Sequence, residues 1–205
     1  MDAALVAFVV VFVAELGDKT QLVALGLAAR YPLPVVLVGI GIAYTLTQGL
    51  AALAGGALGA ALPTTALGVG ASIIFLGFAA WTLRDVLASG GGDDDDEEVE
   101  EELSAVDRAV ARAGRGSVGT IVAIVGVMVL AEIGDKSMIA TATIAAERGA
   151  FGAWIGASLG IFASGCLAVL LGRYLGTRLP ERTMGFISAG LFALFGVLLL
   201  AETLL

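Results

Sequence analysis

Six apolar stretches follow one another along the chain, over about residues 3–28, 35–61, 63–87, 118–145, 151–171 and 184–204. Each reaches the roughly 20 residues that a helix needs to cross a bilayer. The pattern therefore predicts an all-α polytopic membrane protein with six transmembrane helices. Between the first two stretches, Arg30-Tyr31-Pro32-Leu33-Pro34 reads as a turn, because its two prolines restrict the backbone and lack donors. Pro63 opens the third stretch where a helix tolerates proline best. The second carries Gly39, Gly41, Gly49, Gly55, Gly56 and Gly59, a density of small residues that lets helices approach closely in lipid.

The polar segment between the third and fourth stretches has two parts. Residues 89–102 read Ser-Gly-Gly-Gly followed by an acidic run, which cannot bury a core and is expected to be disordered. From Leu103 to Arg115, Val106, Ala109, Val110 and Ala113 sit at helical spacing, flanked by Arg108, Arg112 and Arg115. Ser104 with Asp107 resembles a capping box. A short amphipathic helix at the membrane interface is expected there.

Ionisable residues break the apolar pattern at two places. Glu15-Leu16-Gly17-Asp18-Lys19-Thr20 lies in the first stretch, and Glu132-Ile133-Gly134-Asp135-Lys136-Ser137 lies in the fourth. A charge at membrane depth costs several kcal/mol unless it faces a partner or a wet cavity, so its default reading is functional. Glu and Asp three residues apart share a face if the segment is helical, and the glycine between them allows close approach or a local break.

One offset, 117, relates the two motifs. The same offset relates Gly39 to Gly156, Gly55 to Gly172, Gly59 to Gly176, Pro63 to Pro180, Gly68 to Gly185, Phe75 to Phe192 and Phe78 to Phe195. The chain is a tandem duplication of a three-span unit. Residues 1–88 form the first three-helix repeat, 89–117 an acidic cytoplasmic linker with the short amphipathic helix, and 118–205 the second repeat. An odd number of spans per unit inverts the second copy, the arrangement of secondary transporters whose site lies between repeats near the midplane. Arg30, Arg84, Arg108, Arg112, Arg115, Arg173, Arg178 and Arg182 all fall on one side of a six-span topology, with Arg148 alone on the other. The positive-inside rule then places the linker in the cytoplasm and both termini outside.

Composition narrows the chemistry. There is no histidine, which removes imidazole ligands and imidazole proton relays, and the single Cys166 rules out an intrachain disulfide or a thiolate cluster. The net charge of −8 is local: without the nine acids between Asp93 and Glu102, ten acids face eleven basic residues. The N-terminus has no basic region, and Glu15 and Asp18 interrupt its apolar run, so a cleaved signal peptide is not expected. No nucleic-acid partner and no enzymatic or permanently bound cofactor chemistry are expected. The lipid bilayer is the surroundings, and the glycine faces permit a homodimer.

Four carboxylates and two lysines leave the paired motifs at net −2 if all are ionised, which one divalent cation or two protons would cancel. The predicted metal ligands are Glu15, Asp18, Thr20, Glu132, Asp135 and Ser137. Oxygen-only donors suit calcium, magnesium or manganese over zinc or copper. Lys19, Lys136 and Gln48 are assigned to gating or charge balance. The competing reading makes the carboxylates structural partners of Lys19 and Lys136. Thr45, Thr47, Ser158 and Ser164 are expected to bond backbone or a neighbouring helix, and Trp81 and Trp154 to anchor at the interface.

Two Glu-x-Gly-Asp-Lys-Thr/Ser motifs in a duplicated six-span chain, split by an acidic loop, resemble the transmembrane protein 165 family, also called the calcium/manganese cation antiporter-2 family. The resemblance covers all six spans. It implies export of Mn2+ or Ca2+ from the cytosol in exchange for protons as counter-ion, through Glu15, Asp18, Lys19, Thr20, Glu132, Asp135, Lys136 and Ser137. The short chain resembles prokaryotic members, which implies the plasma membrane. An exporter of small organic solutes and a passive divalent cation channel are the alternatives.

Overall fold

The computed structural model describes residues 2–16, 18–88, 93–114, 116–175 and 181–204. Gly17, residues 89–92 of the expected disordered linker, Arg115, and Pro180 with Arg178 lie outside the described residues. Among those described there are nine helices and no strand. They are α1 (Ala3–Ala14), α2 (Lys19–Arg30), α3 (Leu33–Ala61), α4 (Thr64–Ala88), α5 (Asp93–Ala113), α6 (Ser117–Glu132), α7 (Lys136–Arg148), α8 (Ala150–Leu175) and α9 (Glu181–Leu204).

Four of these helices, α3, α4, α8 and α9, are long and apolar enough to cross a membrane. Helices α6 and α7 add a fifth span if counted together, but they are bent by 74° at the break between them. Helix α1 is apolar yet only 12 residues long, and α2 restarts at Lys19. The continuous first and fourth spans expected from hydropathy are therefore each two half-helices. Each break falls on a Glu-x-Gly-Asp motif. In the second, Gly134 takes φ +86°, a left-handed conformation that residues with a Cβ adopt at a cost. Asp135 then starts α7 by accepting the Ser137 backbone N–H at 3.0 Å.

The long helices pack on the half-helices. Helix α3 lies along α6 and α7, while α8 lies along α1 and α2. The glycines of the second stretch make this contact: a Cβ on Gly55 or Gly59 would run into the carbonyls of Ala142 or Ala146 on α7. Gly156, the repeat partner of Gly39, presses against the Ala4 carbonyl of α1 in the same way. Trp154 Nε1 donates to the Thr45 carbonyl of α3 at 2.9 Å. Trp81 stays largely exposed.

Helices α4 and α9 run antiparallel. Gly68 near the start of α4 faces Thr203 at the end of α9, and Gly185 near the start of α9 faces Val86 at the end of α4. These contacts are reciprocal under the offset of 117. So are those of the aromatic cluster, in which Phe75 meets Phe192 at 6.0 Å between ring centres, Phe75 meets Phe195 at 6.2 Å and Phe78 meets Phe192 at 5.6 Å. Helix α2 leaves its break toward the end of the bundle where α4 finishes and α5 lies, and Arg30 there meets Glu100 and Asp107 of α5. Helix α7 leaves toward the other end, where Arg148 reaches Glu202 near the end of α9 at 2.6 Å.

The acidic linker departs most from expectation. Residues from Asp93 onward are helical and continue without interruption to Ala113, so Ser104 is inside a helix and does not cap one. Composition registers the net charge but not the neighbours that answer it. Leu103, Val106 and Val110 are buried against the bundle, with Gly26 on α2 leaving room for Leu103. Burying such a side chain is worth about 1.5–3 kcal/mol, whereas an exposed ion pair contributes about 0–1 kcal/mol. The apolar stripe therefore holds α5, and the Arg30 pairs set its register. The stripe that the sequence assigned to a membrane interface packs instead on α2 and α6.

Candidate cation site

The two motifs meet where the half-helices break. Glu15 follows the last turn of α1 and keeps its N–H on the Val11 carbonyl at 3.0 Å; Asp18 stands at the N-cap of α2. Glu132 ends α6 and Asp135 caps α7. The carboxylates are thus carried by helix ends, not by one continuous helical face. The starts of α2 and α7 bring the positive ends of two helix dipoles toward them.

Among the described residues, one carboxylate oxygen from each of Glu15, Asp18 and Asp135 lies within 4.8 Å of the others. Oxygens that bind a single hard cation at about 2.1–2.6 Å stand at most about 5 Å apart, so this spacing fits one ion. Glu132 is fully buried but falls outside that trio, and neither of its oxygens has a hydrogen-bond partner. Glu15 is fully buried as well; Thr20 Oγ1 donates to its Oε2 at 2.7 Å, while Oε1 is unpartnered. Asp18 Oδ2 also lacks a donor. Buried carboxylate oxygens left in this state cost several kcal/mol unless a cation or a proton takes them up.

The lysines behave unequally. Lys136 crosses between the motifs and sits 2.8 Å from Asp18 Oδ1. Lys19, its repeat partner, turns to Glu98 of α5 at 2.6 Å. Ser137 is buried and accepts from Gln48 Nε2 at 3.3 Å, and Gln48 Oε1 accepts from Thr141 at 2.6 Å. Gln48 therefore ties α3 to the start of α7 beside the site. Of the isolated hydroxyls, Thr45 and Thr47 bond carbonyls of their own helix, and Ser158 Oγ is buried without a partner.

Three residues near the site escaped the sequence reading. The Gln21 amide donates to Ser164 on α8, joining α2 to α8 as Gln48 joins α3 to α7. Its repeat position is Met138, so comparison of the two copies hid it. Thr141 lies one turn beyond Ser137, a signal that helical spacing could have raised. Glu98 was hidden inside a run of nine acids.

A family model described as the divalent cation/proton antiporter GDT1 matches residues 3–90 and 120–205. A GDT1-like protein of Synechocystis is 32% identical over 199 residues, covering 90% of this chain and 90% of its own length. A Vibrio cholerae protein named "Putative manganese exporter" is 30% identical over 200 residues, covering 96% and 90%. The chloroplastic GDT1-like protein 2 of rice is 32% identical over 207 residues, and the chain spans only 58% of its length. No solved structure matches the chain.

Proposed function

Because the chain belongs to the divalent cation/proton antiporter GDT1 family, which is the family its paired motifs resemble, we propose that it exchanges Mn2+ or Ca2+ for protons at the junction of the two motifs. One observation carries this reading: carboxylate oxygens from both motifs, on Glu15, Asp18 and Asp135, converge within 4.8 Å, and Glu15 and Asp18 each keep a buried oxygen without a donor. Glu15, Asp18 and Asp135 hold the cation, Thr20 orients Glu15, and Ser137 lies beside them under the hold of Gln48. Glu132 supplies a fourth carboxylate behind the trio. The Vibrio cholerae relative's name favours manganese as the cargo.

With Lys19 drawn off by Glu98, the four carboxylates face Lys136 alone. An empty, fully ionised site would carry that surplus charge into a low-dielectric interior at a high cost. Protons or a divalent cation cancel the same surplus, so the loaded forms can reorient while the bare form is trapped. This is the condition for exchange instead of leak. The membrane arrangement that accompanies it is six spans in two inverted repeats, each opening with a broken helix, with the linker cytoplasmic. Reciprocal contacts between α4 and α9, and half-helices that run to opposite ends, support that arrangement. A plasma-membrane location with both termini outside and export from the cytosol complete the proposal.

The test is reconstitution into vesicles with Mn2+ and Ca2+ presented in turn, with and without a pH gradient. An opposing proton gradient is expected to drive Mn2+ uptake against its own gradient. Uptake should slow as pH falls on the side where metal loads, because protons then occupy the ligands. Flux indifferent to the proton gradient would leave a passive channel and sink the exchange mechanism.

A further inference from the structure

Lys19 and Lys136 are equivalent residues in inequivalent places. The offset of 117 pairs Lys19 with Lys136 and Asp18 with Asp135, so the bond from Lys136 to Asp18 has a counterpart from Lys19 to Asp135. That counterpart is not among the described ion pairs. Asp135 instead caps α7 through the Ser137 N–H, and Lys19 is held by Glu98 of α5. Glu98 belongs to the segment between the repeats and has no equivalent in the other half. It lies beside the start of α2 on the helix α5 that also meets Arg30 at the end of α2, whereas α7, which carries Lys136, runs to the other end of the bundle.

Building on the transport reading, we propose that Glu98 is a positioning residue of the transporter: it holds Lys19 away from Asp135, and the opposite-facing conformation forms when Lys19 exchanges Glu98 for Asp135 while Lys136 releases Asp18. Each cross-motif pair then closes one end of the site. On this proposal the Lys136–Asp18 pair closes the end toward which α7 leads, and the hold of Glu98 on Lys19 keeps the α5 end open to the cation. Glu98 favours the form that loads from the α5 face. It acts only through Lys19 and touches no cargo.

The measurement is the half-saturating Mn2+ concentration at each face, taken in right-side-out and inside-out vesicles. Glu98→Gln should raise the ratio of the α5-face value to the opposite-face value by roughly threefold, in keeping with a partly exposed ion pair. Glu98→Asp should retain the wild-type ratio. Glu101 is exposed on the same helix, so Glu101→Gln removes the same surface charge and should leave the ratio where it was. A ratio unmoved by Glu98→Gln, or moved equally by Glu101→Gln, overturns the lysine exchange while wild-type transport keeps the function intact. Wild-type vesicles that carry no divalent cation overturn the transport reading and this proposal with it.

Discussion

Glu15 and Glu132 hold the same position in two copies of one motif, yet their surroundings differ. Glu15 shares the trio with Asp18 and Asp135 and accepts from Thr20; Glu132 lies outside it with both oxygens unpartnered. Binding and transport should separate the two residues. Glu15→Gln should weaken equilibrium Mn2+ binding by more than about tenfold, since removing one member of a buried charge contact costs several kcal/mol. Glu132→Gln should weaken binding less and still abolish proton-coupled flux. Calorimetric titration in detergent beside vesicle uptake gives both readouts, and equal loss of binding in the two variants would return Glu132 to the ligand set. The carboxylates were legible in the sequence because charge at membrane depth is conspicuous. Their division into a trio and a fourth was not, because it depends on where the two chain breaks place helix ends.

At the scale of elements, helix α5 shows how pH reaches the fold from outside the membrane. The Tyr31 hydroxyl, with Arg30 beside it, holds the Asp107 carboxyl below the usual carboxylate range. Burial pushes Glu102 the other way. A depressed carboxyl stabilises the docked helix above its unfolded value, about 3.9 for Asp, and that contribution is lost as pH falls through the lower folded value. A raised carboxyl opposes docking at high pH, and the opposition fades as it protonates. Helix α5 should therefore stay docked, or tighten, between about pH 7 and pH 5, and loosen below about pH 4. Hydrogen exchange across residues 99–110, corrected for intrinsic rate, measures this, and Asp107→Asn should remove the acid limb while loosening the helix at neutral pH. Acid loosening that persisted in Asp107→Asn would assign it elsewhere. The apolar stripe was visible in the sequence, but whether lipid or protein covers it is a tertiary fact. The acidic run misled because Arg30 and Lys19, which answer it, lie some seventy residues upstream.

For the whole molecule, hydropathy located the long helices well and treated the first and fourth stretches as unbroken. An apolar window cannot register a break of three or four residues, although the Glu-x-Gly-Asp pattern marks where each break falls. The proposed orientation places α5 and the end of α9 on opposite sides of the membrane. With Cys166 replaced by Ala, a cysteine at exposed Glu101 should react with an impermeant reagent only from the cytoplasmic side. A cysteine at exposed Leu204 should react only from outside. Reaction of both from one side would rule out the inverted repeat, and reversal of both would keep the repeat and invert the membrane.

The Phe75–Phe192 contact between α4 and α9 repeats the geometry of an isologous dimer interface, the same patch meeting itself, but inside one polypeptide. In a dimer of identical chains every substitution is made twice, so the two faces of a transporter must stay chemically alike. Fusion lifts that constraint. Gln48 faces α7 while its repeat position is Gly165, and Gln21 faces α8 while its repeat position is Met138. Each half can be altered without its twin, so the energies of the inward- and outward-facing forms can be set independently. A covalently joined pair can thus have a preferred direction, which two interchangeable copies could not encode.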